Sequence, residues 1–284
     1  MNNEKKNIAV VGVGLIGGSF ALQCRSKGLA DKIIGIDFNP MHAEQALSLN
    51  LVDEMMDLAS AVSQVDLIIL AIPVDNIINI LPSILNHVEK QIVIDLGSTK
   101  SLLSETIKTH PNRGRFVAAH PMWGTEYSGP SAAVAGAFEE KSVILCDLDQ
   151  SDEDAVVYAK YLFGELKMRI FEMGAQDHDL HAAYVSHISH LSSFALANTV
   201  LEKEKEDHAI FEMASAGFES TVRLAKSNPD MWTPIFKQNK ENLLDVLNEH
   251  IMQLRKFKSC LEKENWEYLH ELIENANQIR RIIH

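Results

Sequence analysis

The chain has 284 residues, 46% of them hydrophobic and 23% charged, with no Pro- or Gly-rich tract; that leaves room for two domains with real cores and excludes both a disulfide-stapled mini-fold and a largely disordered chain. Lys and Arg number 26 against 39 Asp and Glu, a net charge of −13 at pH 7, a field that repels phosphate backbones and anionic lipid and so argues against nucleic acid and membrane surfaces as partners. Cys24, Cys146 and Cys260 lie far apart and offer neither a disulfide framework nor a Cys-x-x-Cys site, the usage expected of a reducing cytoplasm.

In chain order, the apolar stretch over residues 8–22 follows Lys5 and Lys6 but is broken by glycines and lacks a small-residue cleavage site, so it reads as folded chain, not as a signal peptide. No segment reaches transmembrane length. Short β-branched runs over residues 7–11, 32–37, 66–71, 91–96, 116–119 and 142–146 alternate with helical stretches such as 14–27, 41–49 and 101–109. A helix over 152–163 and a strand over 168–172 close the unit. Near-continuous apolar strands separated by crossover helices predict an α/β fold, a Rossmann-type doubly wound, mostly parallel sheet over residues 1–173. From residue 174 to 284 strand-like runs vanish and apolar residues recur at helical spacing. One long helix is expected over 177–205, and Trp266, Leu269, Leu272 and Ile273 form a stripe on a later one. This half is read as an all-helical substrate-binding domain that buries its remaining apolar faces in a homodimer.

Gly12-Val13-Gly14-Leu15-Ile16-Gly17 directly follows the first strand and opens the first helix, and Asp37 ends the second strand 20 positions beyond Gly17. In that context the motif is a dinucleotide site. Gly12 permits the tight turn, Gly14 lets backbone approach a pyrophosphate, Gly17 lets helix and strand pack, and Leu15 and Ile16 begin the helix whose N-terminus faces the phosphates. A carboxylate at Asp37 accepts from the ribose hydroxyls and repels a 2′-phosphate, which favours NAD over NADP. Ile72 and Pro73, just past the 66–71 strand, lie where the bound dinucleotide is expected.

Oxidation of an alcohol needs a group that takes the hydroxyl proton, and a histidine suits that work. Of twelve histidines, His120 sits past the 116–119 strand, where parallel strands present ligand-facing loops, and Pro121 holds it extended. Ser98, in Asp95-Leu96-Gly97-Ser98-Thr99-Lys100, closes the neighbouring strand and is either a hydrogen-bonding partner of the reacting hydroxyl or a helix N-cap. His178 with His181, and His187 with His190, are spaced three apart, which raises zinc; without a catalytic Glu between them they read better as substrate-contacting or core histidines, and no metal is expected. Arg223 is the local candidate for gripping an anion, although its spacing alone marks only a helix-surface arginine.

Together these strings resemble the prephenate dehydrogenase family over essentially the whole chain: the Gly12 fingerprint, residues 95–100, residues 120–129, Ser186-His187-Ile188-Ser189-His190, and residues 217–223 running on to Met231-Trp232. The resemblance implies NAD-dependent oxidative decarboxylation of prephenate to 4-hydroxyphenylpyruvate in tyrosine biosynthesis, by a homodimer with interlocked helical domains. It implies His120 as the base toward the C4 hydroxyl, Ser98 orienting that hydroxyl and the nicotinamide, and Arg223 holding a carboxylate. His190 and Thr125 would line the pocket and Glu126 would stand at its mouth. The substrate's negative charge should raise the His120 pKa in the complex, and activity should fall in acid. Glu219-Ser220 departs from the basic-acidic pair that relatives carry after Gly-Phe. The alternatives are an arogenate dehydrogenase, a hydroxyacid dehydrogenase of similar architecture, and a non-catalytic NAD-binding dimer module.

Overall fold

A computed structural model describes residues 5–205 and 210–282. An eight-stranded sheet in the order β3-β2-β1-β4-β5-β6-β7-β8 is formed by β1 (Lys6–Val11), β2 (Ala30–Ile36), β3 (Glu54–Met55), β4 (Leu67–Leu70), β5 (Ile92–Asp95), β6 (Phe116–Pro121), β7 (Ser142–Cys146) and β8 (Arg169–Met173). All neighbours are parallel except β6 and β7.

Strict alternation along the central strands sorts their side chains into two cores. Ile8, Val10, Leu67, Ile69, Val117 and Ala119 face one layer, filled by Phe20 and Cys24 of α1 (Leu15–Ser26) and by Leu162 and Phe163 of α6 (Glu153–Glu165). Ala9, Val11, Ile68, Leu70, Val93 and Ala118 face the other, filled by Ile77, Leu81 and Ile84 of α4 (Val74–His87) and by Leu103 and Ile107 of α5 (Ser101–Ile107). Strand order reverses between β1 and its two neighbours β2 and β4, which opens a crevice at their carboxyl ends.

The sheet and the doubly wound topology agree with the sequence reading, and local features differ from it. Strand β6 continues past Ala119 because antiparallel pairing carries it on, with His120 opposite Ile144 and Pro121 opposite Val143. His120 is therefore a buried strand residue, not part of a surface loop. The long helix is interrupted: α7 (Ala175–Ala182) passes through a π-helical turn, Ala183–His187, before α8 (Ile188–Glu204). Helices α2 (Pro40–Ser48), α3 (Leu58–Val62), α9 (Ala216–Val222) and α10 (Pro229–Gln238) complete the compact unit that ends at Asn239. Helices α11 (Lys240–Glu262) and α12 (Trp266–Ala276) belong to a second compact unit that starts at Lys240. No helix among the described residues is long and apolar enough to cross a membrane.

One buried polar side chain ties α1 to the far edge of the sheet. Gln23 is fully buried; its Nε2 donates to the Leu166 carbonyl at 2.8 Å and its Oε1 accepts from the Phe138 amide at 3.2 Å. Gln23→Leu should leave that carbonyl and amide without partners and lower the unfolding free energy by about 2–3 kcal/mol, measured by urea titration.

Candidate active site

The three motif glycines have three different surroundings. Gly12 has φ +90°, and a Cβ there would lie 2.5 Å from the Ala71 carbonyl oxygen and 2.6 Å from Ile72 Cγ2. A Cβ at Gly17 would lie 1.9 Å from the Gly12 carbonyl oxygen. At Gly14 the nearest atom would be the Gly129 amide nitrogen, 4.0 Å away. The first and third glycines are thus required by the protein's own packing, and the second borders open space. Helix α1 starts there with Leu15 and Ile16 half-buried and with no side-chain cap, so its N-terminus suits an anion.

Asp37 stands at the end of β2 with its side chain only 7% exposed. It is aimed by two backbone donors, Val13 N–H at 3.2 Å and Asn39 N–H at 2.9 Å. Ile72 and Pro73 lead from β4 into α4 at the same end of the sheet. A cradle beside Gly14, a bare helix N-terminus and an oriented carboxylate fit the pyrophosphate and ribose of NAD.

Next to this crevice lies a relay of buried side chains. His120 Nδ1 is 2.8 Å from His178 Nε2, and His178 Nδ1 is 2.8 Å from Asp179 Oδ1. Asp179 also accepts the Lys100 amide at 2.8 Å and the Ser101 amide at 2.9 Å, from the start of α5. These bonds fix the protons. The Asp179 carboxylate accepts from His178 Nδ1–H, so His178 Nε2 accepts from His120 Nδ1–H, and a lone pair is left on His120 Nε2. Burial, reinforced by His178, Lys100 and His187, holds the His120 pKa well below the ordinary imidazole value. Burial works to raise the Asp179 pKa, but the hydrogen bonds from His178 and the α5 amides outweigh it and hold the group below its usual value. Beneath the relay, the buried Lys100 ammonium pairs with Asp95, which also accepts the Gly97 and Ala119 amides at 3.1 and 3.2 Å. Asp95 thus joins β5 to β6.

The remaining residues singled out in the sequence have contacts of their own. Ser98 is half-buried in the turn between β5 and α5. The next residue, Thr99, donates to Gln238 Oε1 at 2.6 Å, and Gln238 donates to Asp75 at 2.6 Å, which anchors α10 over the turn. His190 stacks on Trp232 with ring centroids 3.5 Å apart. Burial lowers its pKa, and the nearby Arg223 charge adds to that. Arg223 is ion-paired at 2.9 Å with Glu126, on the segment that leaves β6 just after His120, where Thr125 Oγ1 accepts the Tyr127 amide. One segment therefore links His120 to Thr125, Glu126 and, across the ion pair, Arg223. The sequence reading did not find the His178–Asp179 relay, the Lys100–Asp95 pair, or the contact of Asn239 Nδ2 with His187 Nδ1 at 3.0 Å. Adjacent His178 and Asp179 were a signal, but their partners lie 58 and 79 positions away.

A doubly wound sheet with this cradle and a buried imidazole at its carboxyl end defines a nicotinamide-dependent oxidoreductase. The profile described as "Prephenate dehydrogenase, nucleotide-binding domain" matches residues 20–172, and the one described as "Prephenate dehydrogenase, dimerization domain" matches residues 174–275. The chain is 32% identical to the prephenate dehydrogenase of Bacillus subtilis, over 99% of this chain and 76% of that protein. Among solved structures it is similar to prephenate dehydrogenase from Aquifex aeolicus in complex with hydroxyphenyl propionate and NAD+, with 30% identity, full coverage of both chains and a TM-score of 0.89. A Synechocystis arogenate dehydrogenase is 26% identical, with 98% of this chain and 100% of that one covered and a TM-score of 0.76. The chain belongs to the prephenate dehydrogenase family, and residues 20–172 to that family's nucleotide-binding domain.

The second and third glycines of the motif should separate folding from cofactor binding. Gly17→Ala is expected to lower the unfolding free energy by about 1–3 kcal/mol through overpacking. Gly14→Ala should melt like the parent and weaken NAD about tenfold, the equivalent of one lost phosphate contact, as read by calorimetric titration.

Proposed function

We propose that this chain oxidises prephenate with NAD, releasing CO2 and 4-hydroxyphenylpyruvate, with residues 1–173 binding the dinucleotide and residues 174–284 supplying the substrate-binding and dimerising helices. The observation that carries this reading is the Asp179–His178–His120 relay, which ends in a neutral imidazole with a free lone pair. Bound NAD supplies the acceptor for the hydride that leaves C4 of the ring. His120 Nε2 takes the proton of the C4 hydroxyl, and Ser98 fixes that hydroxyl's direction. The ring carboxylate then departs as CO2 and its bonding pair completes the aromatic ring. The proton returns from His120 to the phenolate oxygen, so no net proton is consumed.

Arg223 holds a substrate carboxylate in exchange for Glu126, while His190 and Thr125 line the pocket. Two more donors belong to this region. His187 Nδ1 accepts from Asn239, so its Nε2 carries the proton; that N–H and the Trp232 indole N–H are buried without an acceptor among the described residues. Orphan donors of this kind cost about 1–3 kcal/mol each, and substrate oxygens would supply the missing acceptors. Burial pushes the His187 pKa down to about 4, so it donates as a neutral ring. Exposed Leu254, Leu261, Trp266, Tyr268 and Ile273 on α11 and α12 offer the apolar surface that a second copy of the chain would cover.

A second reading has its own support. Glu126 stands 2.9 Å from Arg223, so the pair offers an acceptor for an ammonium beside a donor for a carboxylate, the combination presented by the amino-acid side chain of arogenate. Mixing the protein with each substrate, using NAD and NADP in turn, should give NADH formation with the highest kcat/KM for prephenate and NAD. A higher value for arogenate would select the second reading, and no reduced cofactor from any pair would reject both.

His120→Asn should lower kcat by about 10²–10⁴-fold while NAD binding persists. Because the free His120 pKa is depressed, kcat/KM should hold steady as pH falls through about 6.5 and decline only below that, as the imidazole takes up its proton. The anionic substrate raises the pKa in the complex, so the acid limb of kcat should lie at higher pH than that of kcat/KM. Asp179→Asn should cut kcat and displace both limbs, since the carboxylate charge beside His178 is lost and the amide's NH2 must face one of the donors that Asp179 now accepts from.

A further inference from the structure

The turn that follows β2 is rigid. Asp37 is held by two amides, Asn39 Oδ1 caps α2 by accepting the Met41 amide at 3.0 Å, and Pro40 occupies the first turn of that helix. Yet this turn presents Phe38 with 90% of its surface exposed and Met41 with 67%. The wall beside them is continuous: His42 Nδ1 is 3.7 Å from Asp37 Oδ2, and its Nε2 is 3.7 Å from where a Cβ at Gly129 would stand. The Gly129 amide nitrogen in turn is 4.0 Å from the corresponding point at Gly14. Gly14, Gly129, His42 and Asp37 thus follow one another from the pyrophosphate cradle to the ribose carboxylate, and the exposed Phe38 follows Asp37 in the chain.

We infer that Phe38 is the stacking face for the adenine of NAD and that His42 closes the ribose pocket against the Gly129 turn. A dinucleotide with its phosphates at Gly14 and its ribose on Asp37 carries its base one glycosidic bond beyond the sugar, and the only large aromatic ring next to Asp37 in sequence is Phe38. An aromatic face is sequence-independent and apolar, so it takes a purine without demanding a hydrogen-bond pattern. The same ring also fills the position from which a cation would hold a 2′-phosphate, so it works with Asp37 to set the cofactor preference. The inference rests on the cofactor and is independent of whether prephenate or arogenate is the substrate.

Calorimetric titration of the full chain with ADP-ribose tests it without any turnover. Phe38→Ala should raise the ADP-ribose Kd by about tenfold, the lower part of the range measured for base–aromatic stacking. Phe38→Trp should bind like the parent. The melting temperature and the oligomeric state of both variants should stay at parental values, because the ring is exposed, and KM for the ring substrate at saturating NAD should not move. His42→Ala should weaken ADP-ribose by a few-fold. An unchanged Kd in Phe38→Ala would overturn the assignment, as would equal losses in the Ala and Trp variants. A fall in melting temperature or a change of oligomeric state would also overturn it, by showing that protein covers the ring.

Discussion

One carboxylate ties together the segments at the carboxyl ends of β5 and β6. Asp179 takes two amides from the start of α5 and one imidazole N–H from its own helix, and Asn239 donates to its main-chain carbonyl at 2.6 Å. The first helix after the sheet is thereby bolted to the turn after β5, and His178 is left with its Nε2 turned toward β6. Without that anchor the tautomer of His120 is undefined, and so is the end of the ring that offers a lone pair. The cost of burying a charge is met by three donors, so the helix is held by electrostatics where its thin apolar face could not hold it alone.

The Lys100–Asp95 pair plays the complementary role beneath. Burial pushes the Asp95 pKa up against the pull of the ammonium and of the two amides. The carboxylate nonetheless accepts from both flanking segments, β6 and the turn after β5. Breaking a buried pair of this kind is expensive because the surviving charge has nowhere to go. The carboxyl ends of β5 and β6 are therefore locked side by side, and they carry the turn with Ser98 and the strand with His120.

Much of the fold was legible in the sequence because its signals are local. Apolar runs of four to six residues, a glycine motif at a strand–helix junction and an acid at the end of the second strand each report on their own neighbourhood. The features that escaped are those set by distant partners. Strand β6 runs two residues further than its hydrophobic pattern suggests, because β7 returns antiparallel and extends the ladder through His120. The relay joins segments 58 residues apart, and no periodicity encodes which histidine meets which. Arg223 reads from spacing as an ordinary helix-surface cation; its meaning comes from Glu126, 97 positions earlier.

The π-helical turn at Ala183–His187 has a consequence for how such a protein changes over time. One additional residue in a helical turn shifts the phase of everything downstream by about 100°, so α7 and α8 present unrelated faces although the chain between them never stops being helical. The upstream segment gives His178 to β6 and Asp179 to the start of α5, and the downstream segment gives His190 to Trp232. Substitutions in α8 can therefore change the face that carries His190 without disturbing the contacts that α7 makes through His178 and Asp179.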